Sequence, residues 1–348
     1  MNFSQTGIDE NAHFCYETPG SCPKIIYPLA LLYTMYIFFV VASLLTICGN
    51  LLVIITISYF RHLHTPTNYL ILSLAVADLL VGGIVMPPGM VRSLETCWYF
   101  GDFFCKFHAS ADFSLCNTSV LHLTLISVDR YYAVCQPLRY QNKITTSSTM
   151  IMIVAAWSLG TLFGFGMIFL ELNIKGIEDW YFGSVVCDGG CYAVQSMTSC
   201  LVYTFGFFYI PMLVIFGFYT KIFLVAQKQV QSIHSMAHQN VNSQNKIISS
   251  NKMDQKATKT LTLIVGIFLV CWTPFYLTNF VASCIQYNIP SLLYEIFMWI
   301  GYLNSLFNPI IYVFFYSWFR TQIQKLFGKI FNHEAAAISL TVADFAGL

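Results

Sequence analysis

Long hydrophobic stretches alternate with short polar segments along nearly the whole chain. Seven of these stretches are long enough to cross a bilayer as a helix, which takes about 20 residues. They lie near 29–58, 66–91, 103–134, 147–170, 195–224, 259–284 and 291–315. The last two have the least sharply marked boundary, because only the breaker at 288–290 separates them. The pattern predicts an all-α membrane protein with a bundle of seven transmembrane helices.

The segments outside these stretches divide the rest of the chain. An N-terminal tail (1–27) precedes the seven-helix domain (28–315), and a short tail (332–348) follows it. Since the first 25 residues are polar, we expect no separate signal peptide. The segment 316–331 has apolar and cationic positions on opposite faces, a pattern typical of a helix lying on membrane lipid. A polar stretch at about 225–258 predicts a loop.

Composition agrees with a protein that lies mostly in lipid. Charged residues make up only 9% of the 348 residues, and hydrophobic residues make up 57%. A soluble globular domain carries about 25% charged residues. The net charge of +1 gives no indication of a nucleic-acid partner.

Lys and Arg residues predict the orientation. With the N-terminus outside, thirteen of the 17 fall on the cytoplasmic side, and the other four are Lys24, Arg92, Lys106 and Lys175. Because cytoplasmic loops are enriched in these residues, we expect the C-terminus to lie inside the cell. The chain is thus expected to be a multi-pass protein of the plasma membrane.

Cysteines and a glycosylation sequon agree with that orientation. Six of the twelve cysteines fall on outer segments, where disulfides persist. They are Cys15, Cys22, Cys97, Cys105, Cys187 and Cys191, and six cysteines allow fifteen pairings. Asn2 begins a sequon on the outer tail, whereas the sequon at Asn117 lies inside a predicted membrane helix and is discounted.

The third stretch contains ionisable residues that lipid would reject. Asp112 and Arg130 are 18 residues apart, which is five turns or about 27 Å along one helix face. That face must look into the bundle, because a charge at the centre of a membrane helix costs about 2.5–3.5 kcal/mol. An ionisable residue in this position is a candidate functional residue.

Aromatic residues recur at the level of Asp112. In the sixth stretch, Trp272, Phe275, Tyr276 and Asn279 share one helix face. Trp299 and Tyr302 lie three residues apart in the seventh. Taken singly, such residues are more often packing. Around a lone carboxylate they favour an organic ammonium, because the carboxylate supplies a charge-assisted hydrogen bond and the rings supply cation–π attraction.

Asp78 in the second stretch is another buried acid. Polar residues that could surround it are Asn50, Ser119, Asn304 and Asn308. Such a set is typical either of a structural polar network or of a small hydrated cation site, here an allosteric sodium ion. The residues leave both interpretations open. They indicate no other cofactor or metal.

Short motifs occur in order, one in each stretch. They are Gly49-Asn50, "LAVAD" ending at Asp78, "DRY" at 129–131, Trp157, Pro211, "CWTPF" at 271–275 and "NPIIY" at 308–312. Together they resemble the rhodopsin-like family of G-protein-coupled receptors over essentially the whole chain. Asp112 with Trp299 and Tyr302 is similar to its amine-receptor branch.

Longer segments resemble the trace amine-associated receptors. "NSLFNPIIYVFFYSWF" at 304–319, "CWYFGDFFCKFH" and "KATKTL" match that family, and "FGMIFLELNIKGIED" resembles its first subtype. Ser317 departs from the family, where many members have Pro, and this puts in doubt only the start of the helix that follows.

The resemblance implies roles for residues of this chain. Cys105–Cys191 and Cys22–Cys187 would be disulfides, with Cys15 and Cys97 unassigned. The ligand would be bound by Asp112, Cys116, Tyr203, Thr204, Phe207, Trp272, Phe275, Tyr276, Asn279, Trp299 and Tyr302. Activation and G-protein coupling would use Asp129, Arg130, Tyr131, Tyr219, Asp254, Phe268, Asn308, Pro309 and Tyr312. Arg130 would pair with Asp129 and Asp254 in the inactive state.

The implied function is reception of a small biogenic or trace amine, with signalling through a Gs-type G protein that raises cyclic AMP. The fifth stretch has Tyr203, Thr204 and Phe207 where catecholamine receptors present serines, and it has no second acid for a diamine. A monoamine is therefore expected, with another aminergic ligand such as serotonin as the alternative. An olfactory role is compatible with this family.

Two other classes of protein are weaker interpretations. An enzyme would need paired acids or metal-ligand spacing beside His108 and His122, and neither is present. A transporter could use buried acids such as Asp78, but such proteins often contain internal repeats, and none is found.

Overall fold

The computed structural model describes residues 13–236, 241–285, 289–315, 319–326 and 328, and side chains except those of 229–262, Ser291 and Phe315. Long helices occupy all seven predicted positions. They are α1 (Leu29–Tyr59), α2 (Pro66–Glu95), α3 (Gly101–Cys135), α4 (Thr146–Phe169), α5 (Met197–Thr204 and Ile210–Met236), α6 (Val241–Cys284) and α7 (Ser291–Phe315). Within the described residues the fold is all-α apart from two isolated β-bridges. The predicted fold class is confirmed.

Six of these helices are long and apolar enough to cross a membrane by length and composition, among the described residues. The exception is α3, although it is 35 residues long. Its buried face contains polar side chains, including Ser114, Asn117, Ser119 and His122. Packing against α2, α4 and α5 shields that face, so α3 is the polar centre of the bundle rather than a lipid-facing helix.

Local sequence sets several helix starts. Thr65 accepts a hydrogen bond from the Asn68 backbone and stands before Pro66, which suits the first helical position. Thr145 and Ser148 form a capping box at the start of α4. Ser196 caps the start of α5.

The predicted loop at about 225–258 is wrong for the residues that the structure describes. Helix α5 continues to Met236, and α6 already begins at Val241. No Gly or Pro occurs between 225 and 258, so the polar sequence contains no breaker to end either helix. The polar sequence indicates where the chain leaves the lipid, but α5 and α6 remain helical beyond that point.

Two of the helices change geometry next to their prolines. A π-helical turn at Val81–Val85 lies just before the two prolines of α2, and another at Phe205–Tyr209 lies just before Pro211 of α5. Such turns insert a residue into the helical repeat and rotate the side chains beyond it. Pro274 and Pro309 lie inside α6 and α7.

Two glycines bring α3 and α4 into close contact. A Cβ atom on Gly164 would lie 2.6 Å from the Ser114 backbone nitrogen, and one on Gly160 would collide with Thr118. Small residues four apart let the backbones of membrane helices approach closely. This contact fixes α3 closely against α4.

Three disulfides assemble the end of the bundle that carries the N-terminal segment. Cys105–Cys191 and Cys22–Cys187 are the pairs that the resemblance implies, and Cys15–Cys97 joins the two unassigned cysteines. The ammonium of Lys24 also lies 3.0 Å from the carboxylate of Glu95. That hydrogen bond raises the pKa of Lys24 above its ordinary value, so Lys24 remains charged at neutral pH.

Residues 319–326 form a further helix, α8. Phe319 and Leu326 are buried, whereas Arg320 and Lys325 are exposed. The Phe319 ring lies 6.4 Å from that of Tyr312 in α7. Among the described residues this division of faces is that of an amphipathic helix. Phe327, Lys329 and Ile330, which complete the predicted pattern, lie outside the described side chains.

Candidate functional site

Asp112 of α3 is half-buried and has two neutral hydrogen-bond donors. The Tyr302 hydroxyl of α7 donates to one carboxylate oxygen at 2.7 Å. The Cys116 thiol, one turn further along α3, donates to the other oxygen at 3.3 Å. Among the described residues no cationic side chain lies within ion-pair distance of Asp112. Within that part of the chain, its carboxylate therefore has no direct ion-pair partner.

Aromatic rings of α5 and α6 form one wall beside α3. The hydroxyl of Tyr276 donates to that of Tyr203 at 3.3 Å, and their rings stack with centroids 5.5 Å apart. Trp272 and Phe275 meet edge to face, with centroids 5.8 Å apart. All four side chains are buried. The predicted aromatic residues are thus brought together across two helices.

Sequence reasoning missed other rings of this wall. Phe113 of α3 lies edge to face with Tyr203 at 5.0 Å, and Phe208 stacks on Tyr276 at 4.3 Å. Phe163 of α4 lies 4.3 Å from Phe207. Their spacing within single helices matched ordinary packing, so only contacts between helices reveal them. Thr204 is buried, and its hydroxyl lies 3.8 Å from the Cys200 sulfur within α5.

Trp299 of α7 faces helices α1 and α2. Its ring stacks on Phe39 of α1 with centroids 3.8 Å apart, and its indole N–H donates to Ser93 of α2 at 3.0 Å. It also meets Tyr302 edge to face at 5.6 Å. Trp299 therefore packs between Tyr302 and helices α1 and α2. Tyr302 itself contacts the carboxylate of Asp112.

An ion pair that was not predicted from the sequence joins the end of α2 to the start of α7. Arg92 Nε lies 3.4 Å from Glu295 Oε1, with 14% and 23% of the two side chains exposed. Ser93 donates to the other oxygen of Glu295, and Arg92 Nη2 lies 3.0 Å from the sulfur of Met298. The nearby Asn279 of α6 accepts a hydrogen bond from Tyr294 at 3.4 Å. Both charges lie near helix ends, where charged residues are ordinary in sequence.

Asp78 is fully buried and accepts three hydrogen bonds. Ser119 and Ser305 donate to one oxygen at 3.1 and 2.8 Å, and Asn308 donates to the other at 2.7 Å. Ser305 was not among the predicted neighbours of Asp78. Asn50 reaches the cluster by donating to the backbone oxygen of Ser305 at 3.0 Å. The carbonyl oxygens of Asn50 and Asn304 are buried without a hydrogen-bond partner.

Asp129 and Arg130 form an ion pair at the opposite end of α3. Arg130 Nε donates to Asp129 at 2.8 Å, and its terminal nitrogen contacts both Asp129 and Thr67. Thr67 and Tyr140 also donate to Asp129, at 2.8 and 3.0 Å. The acid of the "DRY" motif is thus held by its own helix, by α2 and by the short helix Pro137–Lys143. Asp254 lies outside the described side chains, as does Asn2.

The other residues expected in activation pack among α3, α5, α6 and α7 or against α1. Tyr219 and Tyr312 line the same small apolar cavity of about 10 Å³. Phe268 is buried, with its ring 6.2 Å from that of Phe208. Tyr131 packs on Phe218 at 4.8 Å. Pro309 fits against Gly49, where a Cβ atom would lie 2.8 Å from the proline ring.

Comparison with known proteins agrees with this geometry. The chain matches the family "7 transmembrane receptor (rhodopsin family)" over residues 49–312. It is 44% identical over 330 residues to trace amine-associated receptor 1 of Macaca mulatta, covering 94% of this chain and 98% of that receptor. It is 40% identical over 343 residues to trace amine-associated receptor 4 of Mus musculus, covering 98% and 99%. The chain belongs to the trace amine-associated receptors.

This receptor is therefore a multi-pass membrane protein of the G-protein-coupled class and not an enzyme. Trace amine-associated receptor 1 of Mus musculus is 46% identical to it over 298 residues, covering 85% of this chain and 90% of that receptor. The predicted family is confirmed. Within the described residues, the receptor contains no group of three or more His, Cys, Asp or Glu side chains that could hold a metal ion.

Proposed function

We propose that this receptor binds a small organic monoamine through Asp112 and signals through a Gs-type G protein to raise cyclic AMP. One observation carries the amine assignment: the half-buried carboxylate of Asp112 has only neutral donors among its described partners. A carboxylate has about four acceptor positions, so two remain for a ligand. An ammonium there would supply the missing charge and a charge-assisted hydrogen bond.

The aromatic wall supports the ammonium and suits an apolar or aromatic ligand body. Cation–π attraction between an ammonium and a ring contributes about 0.5–2 kcal/mol, depending on exposure to water. The paired hydroxyls of Tyr203 and Tyr276 provide a polar group within the same wall. A ligand such as serotonin, with a ring hydroxyl, is the alternative within the same chemistry.

The proposed mechanism is a shift between two states of the bundle. The Asp129–Arg130 pair, with Thr67 and Tyr140, would hold the inner ends of the helices in the resting state. An amine that favours the other state would release Arg130 to the G protein, through Trp272, Phe268, Tyr219 and Tyr312. Only the ligand's preference between the two states contributes to this shift.

We propose in addition that Asp78 binds an allosteric sodium ion. The oxygen-rich cluster suits a hard cation, since Asn50 and Asn304 have buried carbonyl oxygens without a partner. The alternative is a purely structural network, which the three hydrogen bonds to Asp78 also support.

The placement in the cell follows from the same chemistry. We propose that the receptor lies in the plasma membrane with its N-terminus outside, where an oxidising space maintains the three disulfides. The amphipathic helix α8 would rest on the inner leaflet. The domain limits proposed are 1–27, 28–315, 316–331 and 332–348.

The test is the Asp112→Asn variant. Losing a buried charge pair costs about 2–5 kcal/mol, so we expect monoamine potency in a cyclic AMP assay to fall roughly 30-fold or more. Neutral isosteres of the amines should be inactive on the unchanged receptor. An Asp102→Asn variant alters an exposed acid in the first turn of the same helix and serves as the matched control.

Two outcomes contradict different parts of the proposal. An unchanged monoamine response in Asp112→Asn, with equal surface expression, would refute the ammonium site. A receptor that binds monoamines but exchanges nucleotide only on another class of G protein would refute the Gs assignment and leave the ammonium site intact.

A further inference from the structure

Glu295 is a second acid on the face of α7 that contains Tyr302, the residue that contacts Asp112. It precedes Tyr302 by seven residues, which is about two turns or 10.5 Å along the helix. Residues seven apart share one face of a helix. Tyr302 contacts Asp112 directly, so Glu295 lies further out on the same side of the site.

The carboxylate of Glu295 is already occupied by a cation of the receptor itself. Arg92 of α2 lies 3.4 Å away and is only 14% exposed. Besides Glu295, Arg92 also lies within electrostatic range of Asp112. Another titratable group in this region, His108 of α3, has its Nε2 2.9 Å from the Val85 backbone oxygen.

The neighbouring side chains hold this ion pair in place. Ser93, next to Arg92 in the chain, donates to Glu295 and accepts the indole N–H of Trp299. Met298 contacts the guanidinium from the next turn of α7. The ion pair thus belongs to a network that joins α2 and α7 and continues through Trp299 to Tyr302.

We propose that Arg92 makes this receptor selective for monoamines, because its guanidinium occupies the carboxylate that the second ammonium of a diamine would need. This inference rests on the proposed function, in which a first ammonium binds Asp112. A diamine reaching outward from Asp112 meets Arg92, a like charge, instead of a free acid. Removing the Arg92 charge leaves Glu295 as a second anionic site, about two helical turns from the Tyr302 that contacts Asp112.

The experiment uses full-length receptor and paired ligands. Cyclic AMP responses are measured for tetramethylene, hexamethylene and octamethylene diamine and for the monoamine of each chain length. The unchanged receptor should prefer each monoamine. In Arg92→Met, which keeps an apolar stem against Met298, diamine potency relative to the monoamine should rise by about tenfold or more, the equivalent of ~1.4 kcal/mol.

Two control variants separate this effect from a general loss of positive charge. Arg92→Met/Glu295→Gln removes both charges, so the gain for diamines should disappear. Lys106→Met removes the cation of an exposed outer ion pair with Glu171 and should give no gain. Arg92→Gln replaces Arg92→Met if the latter fails to reach the cell surface.

The readouts distinguish the possible failures. Monoamine responses that persist in Arg92→Met and Arg92→Gln without any relative gain for diamines would overturn the inference. A gain that survives in the double variant would also overturn it, since Glu295 would then not be the second site. An unchanged receptor that ignores every monoamine would instead refute the proposed function.

Discussion

Two acids of this receptor have different surroundings, and the difference supports the different roles proposed for them. Asp112 is half-buried and accepts hydrogen bonds from one phenol and one thiol. Asp78 is fully buried and accepts three hydrogen bonds from Ser119, Ser305 and Asn308. The first retains acceptor positions that the proposed ammonium ligand would use. The second is enclosed by its neighbours, so only the small ion proposed above would suit it.

A sodium ion at Asp78 would tie together oxygens of several helices in the state where Arg130 is paired. We therefore expect sodium to lower monoamine potency about fivefold when it replaces N-methylglucamine at constant ionic strength. The Asp78→Asn variant should lose this dependence, because an amide has no charge to hold the ion. Radioligand competition on membranes measures the monoamine potency in each salt, with Asp102→Asn as the control. Equal potency in both salts on the unchanged receptor would leave only the structural network.

The sequence identified Asp78, Asp112 and Arg130 as candidate functional residues. An ionisable residue in an apolar stretch is costly unless it has a partner or a function. The sequence did not predict Ser305 or Glu295. A serine inside a membrane helix can bond its own backbone, so its type alone gives no signal. Glu295 lies near the start of α7, where an acid is ordinary in sequence. Its ion pair with Arg92 is a contact between α2 and α7, and the sequence of either helix alone does not show it.

At the scale of elements, helix starts and spans followed from the sequence, but close helix contacts and some helix ends did not. The capping residues Thr65, Thr145 and Ser196 precede helices where the apolar stretches begin. The inner ends of α5 and α6 differ from the prediction, because a polar sequence without Gly or Pro can remain helical outside lipid.

The contact between α3 and α4 yields a prediction at this scale. Gly164→Ala would place a methyl group 2.6 Å from the Ser114 backbone, which cannot move as a side chain would. We expect this overpacking to lower stability by about 1–3 kcal/mol and to reduce surface expression. Gly166→Ala on the same helix is the matched control, since its Cβ would meet nothing within 4 Å. Thermal unfolding of the purified receptor checks both, and equal midpoints would contradict the role of Gly164.

At the scale of the whole molecule, one end of the bundle is covalently assembled and the other is held by side-chain pairs. Three disulfides connect the N-terminal segment, the start of α3 and the segments around them. The other end relies on Asp129, Arg130 and their hydroxyl partners. Motion on activation is thus expected where only reversible contacts hold the helices.

The disulfides at this end fasten two different segments, the N-terminal segment and α3. Removing them one at a time distinguishes the contribution of each segment. Cys15–Cys97 ties the N-terminal segment to the residues before α3, and that segment keeps a second bond, Cys22–Cys187. Cys105–Cys191 instead fastens α3 itself, seven residues before Asp112. Losing the first should loosen the outer segment, whereas losing the last should displace the ammonium site.

We therefore expect Cys15→Ala/Cys97→Ala to raise hydrogen exchange in residues 13–23 while monoamine potency changes by less than about threefold. The expected loss of stability is at most about 2–4 kcal/mol, the usual contribution of one disulfide. Cys105→Ala/Cys191→Ala should lose monoamine potency at equal surface expression. If both double variants lose potency equally, the N-terminal segment supports the ammonium site as much as α3 does, and the proposed division is wrong. Exchange measured on the purified receptor, with cyclic AMP responses in cells, distinguishes the two results.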